Sequence, residues 1–192
     1  MSKQRCLWCQ GSDLYEKYHD LEWGVPEYND QKLFEILSLE IFQAGLSWIT
    51  VLKKRDHFRK AFDDFNPAMV AQYDSKQVLA LLNDSGIIRH RAKIEATIHN
   101  AHVFLQLQQE SGSFSKYIWS FVNHIPKNNR PKKANEIPSS TKLSADICKN
   151  LKAKGFKFLG ATTVYSFMQA AGLVNDHLAS CFKQQPSNQA NL

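Results

Sequence analysis

Glu40 is the only carboxylate in the run from Leu39 to Leu52, which reads Leu-Glu-Ile-Phe-Gln-Ala-Gly-Leu-Ser-Trp-Ile-Thr-Val-Leu. Leu33, Leu37, Glu40 and Ala44 follow one another at spacings of four, three and four, so on a helix Glu40 points where the leucines point. A carboxylate held among apolar groups without a partner costs on the order of several kcal/mol. If Gly45 breaks the helix and Ser47 caps the next, Trp48 comes close to the same helix end. A carboxylate beside an indole can hold a flat, nitrogen-rich or cationic ligand, the ring by stacking and the acid by accepting hydrogen bonds. The stretch alone leaves a second reading open, a glutamate paired with a buried Arg or Lys in an ordinary core.

A metal site is the second chemistry available. His177 and Cys181 are four apart on a short helix expected over Asn175 to Phe182, so both can face one ion. Cys6 and His19 would complete a tetrahedral Cys2His2 set and tie the N-terminal segment to the C-terminal one. Four protein ligands leave no open position for water, which makes such a site structural. Cys9 stands three residues from Cys6 and is itself a usable ligand, and simple burial of the thiols is the alternative. Cys148 has no histidine near it in sequence and reads as a core thiol.

A third feature is the turn Asn83-Asp84-Ser85-Gly86, followed by Ile87-Ile88-Arg89-His90-Arg91-Ala92-Lys93 and a long helix to about Glu110. Gly86 is expected to supply a positive φ, and the helix start to offer free N–H groups to a phosphate, with Arg89, Arg91 and Lys93 adding charge. An ordinary helical hairpin with a solvated basic face has the same signature.

The elements that must position these groups read as helices. Asp30 is expected to cap the helix carrying Glu40, and a helix follows over Ser47 to Phe62. Asn66-Pro67 opens a short helix, and Asp74 and Ser75 open the one before the turn. Ser113 caps a helix through Val122, Ser139 and Ser140 open one that Gly155 closes, and Thr162 or Thr163 opens one ending near Gly172. Little of residues 1 to 28 reads as helix. Lys127 to Ile137 reads as a long mobile loop with four basic residues, and Lys183 to Leu192 as a disordered polar tail. With no convincing alternation of period two, the expected fold is all-α: one domain over residues 1–182, a helical bundle of two lobes with an irregular N-terminal segment tied down by the metal.

Of the 192 residues, 24 are Lys or Arg and 18 Asp or Glu, a formal charge of +6 and a pI near 9.1 that suit a polyanionic partner. No stretch reaches the roughly 20 apolar residues that span a bilayer, and Met1 to Arg5 leads into no apolar signal region. A cytoplasmic protein with thiols rather than disulfides is the expectation.

The chain resembles the 3-methyladenine DNA glycosylase I family of the helix-hairpin-helix superfamily. The resemblance is carried by Tyr18-His19-Asp20-Leu21-Glu22-Trp23-Gly24-Val25-Pro26, by Gln43 through Arg55, by Gly86-Ile87-Ile88-Arg89-His90-Arg91, by Trp119 through His124, and by Tyr165 through Ala170 with Gly172 through His177. It implies an enzyme that flips 3-methyladenine out of alkylated double-stranded DNA and hydrolyses its N-glycosidic bond, initiating base excision repair, with one structural zinc ion. Residue by residue, it implies that Glu40 hydrogen-bonds the extruded base, Trp48 stacks on it and Tyr18 forms a second hydrogen-bonding wall. Trp8, Tyr15 and Trp23 would complete the aromatic lining. The resemblance makes Cys6, His19, His177 and Cys181 the zinc ligands. Gly45 and Leu46 would enter the duplex, and Asn83, Asp84, Ser85, Gly86, Ile87, Ile88 and Arg89 would clamp phosphate.

Two departures matter. No Asp lies between Asp84 and Asp146, where many enzymes of the superfamily carry an essential one, so narrow specificity for an already labile bond is expected. Ile88 stands in place of the hairpin's frequent second glycine. A monomer acting on DNA, without membrane contact, is the expectation. The competing readings are a non-catalytic helix-hairpin-helix DNA-binding module and a helical protein that binds a free purine.

Overall fold

The computed structural model describes residues 3–184, and most of them are helical. In chain order the α-helices are α1 (Asp13–Leu21), α2 (Asp30–Gln43), α3 (Trp48–Ala61), α4 (Pro67–Val70), α5 (Ser75–Asn83), α6 (Arg91–Ser111), α7 (Phe114–Ser120), α8 (Lys142–Ala153) and α9 (Ala161–Ala170). Two-residue strands β1 (Lys127–Asn128) and β2 (Val174–Asn175) pair in parallel.

α2 is the shared element, packing on α3 and α6 on one side and on α7 and α9 on another. α4 and α5 join α6, while α8 joins α9. The sequence accounts for this centrality: Leu33, Phe34, Leu37, Leu39, Ile41 and Phe42 are all buried, so α2 is apolar nearly all round. The all-α expectation holds, apart from the short strand pair. No described helix is long and apolar enough to cross a membrane.

Several helix starts differ from expectation. Asn29, not Asp30, caps α2, its side chain accepting from the Lys32 N–H at 3.0 Å. The Asp30 carboxylate instead accepts from the Phe114 and Ser115 N–H groups, at 2.9 and 2.7 Å, so it caps α7 from a neighbouring helix. α1 lies in a segment that the sequence reads as mostly non-helical. The signal is present: Ser12 caps it, and Leu14, Tyr15, Tyr18 and Leu21 fall on one helical face. Thr141 caps α8 in a reciprocal pair with Ser144, and Gly160 precedes α9, so Ser139, Ser140, Thr162 and Thr163 are not caps.

The expected helix over Asn175 to Phe182 does not form. There the backbone turns to β1 for its hydrogen bonds, with Lys127 N–H donating to Leu173 O at 2.9 Å and Asn129 N–H to Asn175 O at 3.1 Å. The loop over Lys127 to Ile137 is held by this pair and by a 3-10 turn at Ala134–Glu136. Lys183 and Gln184, expected in the tail, form a 3-10 turn with Phe182 and bury Gln184; residues 185–192 lie outside the described part.

α6 begins at Arg91, capped by His90, whose Nδ1 accepts from the Lys93 N–H at 3.4 Å. Gly86 does not adopt a positive φ, contrary to expectation. Space is the reason for glycine there: a Cβ would lie 2.8 Å from His57 Cδ2 and 2.9 Å from Asp84 Oδ1.

Candidate base pocket and metal centre

The last turn of α2 opens onto a cavity of about 440 Å³. Glu40, Tyr18, Trp48, Trp8, Tyr15 and Trp23 all line it, so the structure brings together every residue the sequence proposed for a ligand pocket. Glu40 is only 5% exposed, and its Oε2 has no hydrogen-bond partner. Neither does the buried Trp48 Nε1. Two of the three unpartnered buried polar side-chain atoms among the described residues therefore belong to this one cavity.

The basic residues around α2 are engaged elsewhere. Arg55 pairs with Glu22, Arg59 pairs with Glu35, and Lys93 donates to the backbone oxygens of Phe42 and Ala44. This removes the reading of Glu40 as half of a core ion pair. Burial alone pushes the Glu40 carboxyl up to about 8. The Tyr18 phenol is also pushed well up, by burial first and by Glu40 second, so it keeps its proton and remains a donor.

The aromatic rings form a continuous wall. Tyr18 and Trp48 lie 5.3 Å apart with planes tilted by 46°, and Trp8 sets its edge against Tyr15 at 5.3 Å and Trp23 at 5.1 Å. Such faces favour a cationic ring over a neutral one. The sequence reading missed Gln43, Ala134, Ile137, Ser166 and Gln169, which also line the cavity. It assigned Tyr165 to Ala170 to packing. Tyr165, Phe167 and Met168 do pack, but Ser166 and Gln169, three apart on α9, reach the cavity. That polar pair inside an apolar helix was the available signal.

Behind the aromatic wall, the ligand atoms of Cys6, His19, His177 and Cys181 all lie within 4.8 Å of one another, and every one of these residues is buried. His19 Nε2 is 3.1 Å from His177 Nδ1 and 3.4 Å from Cys181 Sγ, while His177 Nδ1 is 3.7 Å from Cys6 Sγ. Around a tetrahedral zinc ion, bond lengths place two nitrogens about 3.3 Å apart and a nitrogen and sulfur about 3.5 Å apart. The donor set fits a metal.

The outer atoms of both imidazoles are also oriented. His19 Nδ1 lies 2.8 Å from Asp20 Oδ1, and His177 Nε2 lies 3.0 Å from Trp23 O. Arg5 in turn holds Asp20 through two nitrogens at 2.9 Å. Cys9 stands outside the cluster, donating its thiol to Cys6 O at 3.1 Å, so Cys6 is the N-terminal cysteine that joins the two histidines and Cys181. His177 and Cys181 converge without a helix, through a turn in which Cys181 N–H donates to Leu178 O at 2.7 Å.

Between α2 and α3, Gly45 adopts a φ of 84° and presents Leu46, an exposed apolar residue, beside the cavity residues Gln43 and Trp48. The hairpin turn exposes Asn83, Ser85 and Arg89, whereas Ile87 is buried. Lys93 does not join this surface. It is 4% exposed, and its ammonium donates to Phe42 O at 3.0 Å and Ala44 O at 2.6 Å, closing the C-terminus of α2.

Fold and site together define a helical protein with a buried, unpartnered carboxyl in an aromatic-walled cavity and a buried Cys2His2 cluster behind it. The family model described as methyladenine glycosylase matches residues 8–184. DNA-3-methyladenine glycosylase 1 of Escherichia coli strain K12 is 52% identical over 93% of this chain and 95% of its own length. DNA-3-methyladenine glycosylase of Haemophilus influenzae strain Rd is 49% identical over 92% of this chain and 96% of its own. A solved structure of a 3-methyladenine DNA glycosylase I variant in complex with 3-methyladenine superimposes with a TM-score of 0.91 at 40% identity, covering 94% of this chain and 97% of that one. The chain belongs to the methyladenine glycosylase family.

Proposed function

We propose that the chain is a monofunctional DNA-3-methyladenine glycosylase that flips the alkylated nucleotide from double-stranded DNA into the aromatic cavity and hydrolyses its N-glycosidic bond, the first step of base excision repair. The observation that carries the reading is the unpartnered, buried Glu40 carboxyl at the end of a cavity walled by Tyr18, Trp48, Trp8, Tyr15 and Trp23. Adenine methylated at N3 while still attached to deoxyribose is cationic. It favours the ionised form of Glu40, which accepts from its N–H groups, while the Trp48 and Tyr18 faces contribute cation–π contact.

The cationic base is already a good leaving group. The bond to C1′ breaks with its electron pair going to the base, which departs neutral, and water adds at C1′ and releases a proton. Little acid catalysis is needed, in keeping with the absence of any Asp between Asp84 and Asp146. Discrimination resides in the pocket, which favours the cationic, still-attached methylated base over neutral adenine.

Gly45 and Leu46 enter the duplex where the nucleotide leaves, and the turn over Asn83, Asp84, Ser85, Gly86, Ile87, Ile88 and Arg89 contacts phosphate. Cys6, His19, His177 and Cys181 hold one structural zinc ion, which supplies cross-linking rather than chemistry because all four positions are taken by the protein. The chain acts as a monomer, and its substrate, chromosomal DNA, sets it in the cytoplasm.

The test is the set of bases released from methylated duplex DNA, separated by chromatography and identified by mass. Release of 3-methyladenine with little 7-methylguanine, and no uracil from a uracil-containing duplex, is expected. Comparable release of all three contradicts the proposed selectivity, and no release at all returns the chain to a non-catalytic binding role.

A further inference from the structure

The segment between α7 and α8 carries four cations that the base pocket does not use. Lys127, Arg130, Lys132 and Lys133 are all exposed, and among the described residues none of them is in an ion pair. Exposed cations are ordinarily just solvated. Here two further observations converge.

The first is that the segment forms part of the cavity rim: Ala134 and Ile137 line the same space as Glu40 and Trp48. The second is that its backbone is pinned. β1 pairs with β2, Asn129 Nδ2 donates to Asp176 Oδ1 at 2.7 Å, and Ala179 N–H donates to the oxygen of the buried Pro131 at 2.8 Å. Glu136, the one acid in the segment, accepts from the Lys132 N–H at 2.7 Å and so is turned toward the backbone. The cations are thus presented by a held scaffold next to the cavity: Arg130 and Lys132 line a neighbouring depression that shares Ile137 with it, and little ordering is needed on binding.

We propose that Lys127, Arg130, Lys132 and Lys133 form a phosphate-contacting arm that grips the DNA strand beside the extruded nucleotide, at a part of the rim separate from the Leu46 turn and the hairpin. The proposal deepens the glycosylase reading and rests on the cavity being the base pocket. A nucleotide rotated out of a duplex carries its flanking phosphates toward the pocket mouth, where their repulsion needs local neutralisation.

The experiment compares the native protein with a combined Arg130→Ala, Lys132→Ala, Lys133→Ala variant on duplex DNA carrying a tetrahydrofuran abasic-site analogue, with affinity followed against salt concentration. A control variant carries Lys116→Ala, Lys149→Ala and Lys152→Ala, which removes the same charge from exposed positions on α7 and α8. Each lost phosphate contact lowers the slope of log affinity against log salt by about 0.9. The arm variant is expected to lose about two slope units or more and at least about tenfold in affinity at low salt. Its binding of free 3-methyladenine, read by tryptophan fluorescence, and its melting temperature should match the native protein.

Overturning results are an arm variant with native slope and affinity, a control variant that falls as far as the arm variant, or a native protein without salt-dependent DNA affinity. Failure of the native protein to release 3-methyladenine would defeat the glycosylase reading separately, because the slopes report DNA contact whether or not a base is cut.

Discussion

Trp23 stands between the pocket and the metal cluster: its ring lies 4.6 Å from the His177 imidazole at 82°, and its carbonyl oxygen is 3.0 Å from His177 Nε2. The same indole meets Trp8 on the cavity side. One residue thus serves as a wall of the cavity and as the outer hydrogen-bond partner of a histidine in the Cys2His2 cluster. A zinc ion held there, with no catalytic position, would bear on catalysis by fixing the aromatic wall proposed to stack on the base.

That relationship sets the first expectation. Cys181→Ala should abolish stoichiometric metal binding and lower stability by on the order of several kcal/mol, since β2, the His177 turn and the N-terminal segment lose their common anchor. Cys9→Ser should retain one metal ion per chain. Native mass spectrometry and thermal melting read both, and equal metal loss in the two variants would contradict the ligand set.

Glu40 should leave its mark on stability as well as on activity. An ordinary carboxyl titrates near 4.5, whereas burial raises Glu40 to about 8. Between these values the folded protein keeps a proton that the unfolded chain has released, so stability falls as pH rises from about 4.5 to about 8 and levels off above. The cost at the upper end is on the order of a few kcal/mol. Glu40→Gln should remove this slope and melt above the native protein at pH 8, with the gap closing toward pH 5. Melting curves that stay parallel across that range would sink the idea.

The same titration should appear in catalysis. The ionised carboxylate attracts the cationic base, so kcat/KM for 3-methyladenine release should climb with pH to a plateau above about 8, since that ratio reports the free enzyme. Glu40→Gln should lack the limb. A profile that falls over this range would mean that the protonated acid is the working form.

Lys93 couples the hairpin to the pocket. Its ammonium closes the C-terminus of α2 at Phe42 and Ala44, directly before the Leu46 turn. Lys93→Met keeps the stem but strips the donors, and should cost about 1–3 kcal/mol in urea unfolding. Amide exchange in Ala44 to Ser47 should quicken. Unchanged exchange there would show that the turn is held by other contacts.

How much of this was legible in the sequence follows from the physics of each element. Glu40 and Trp48 were readable as a ligand-binding pair because an acid inside an apolar helical face, followed by a tryptophan, has few uses; Tyr18, Trp8, Tyr15 and Trp23 were placed beside them only through the family resemblance. The Cys6, His19, His177 and Cys181 cluster was readable from residue type and resemblance even though the expected C-terminal helix is absent, since the proximity of four donor atoms does not depend on the backbone between them. α1 was legible from the Ser12 cap and the Leu14, Tyr15, Tyr18, Leu21 face but was passed over among the special residue types of its segment, whereas β1 and β2 were missed because two residues cannot show alternation. Tertiary partners decided the rest. Nothing local tells that Asp30 caps α7, that Gly86 is packed against His57, or that Lys93 is buried rather than offered to phosphate.

The most direct measurement is single-turnover release of 3-methyladenine from methylated duplex DNA by the native protein and by Glu40→Gln, with metal content and melting temperature matched. Native release with a loss of about a hundredfold or more in the variant, near 3 kcal/mol at the transition state, is the expected result. Equal rates from two folded, metal-loaded proteins would contradict the assignment of base recognition to Glu40.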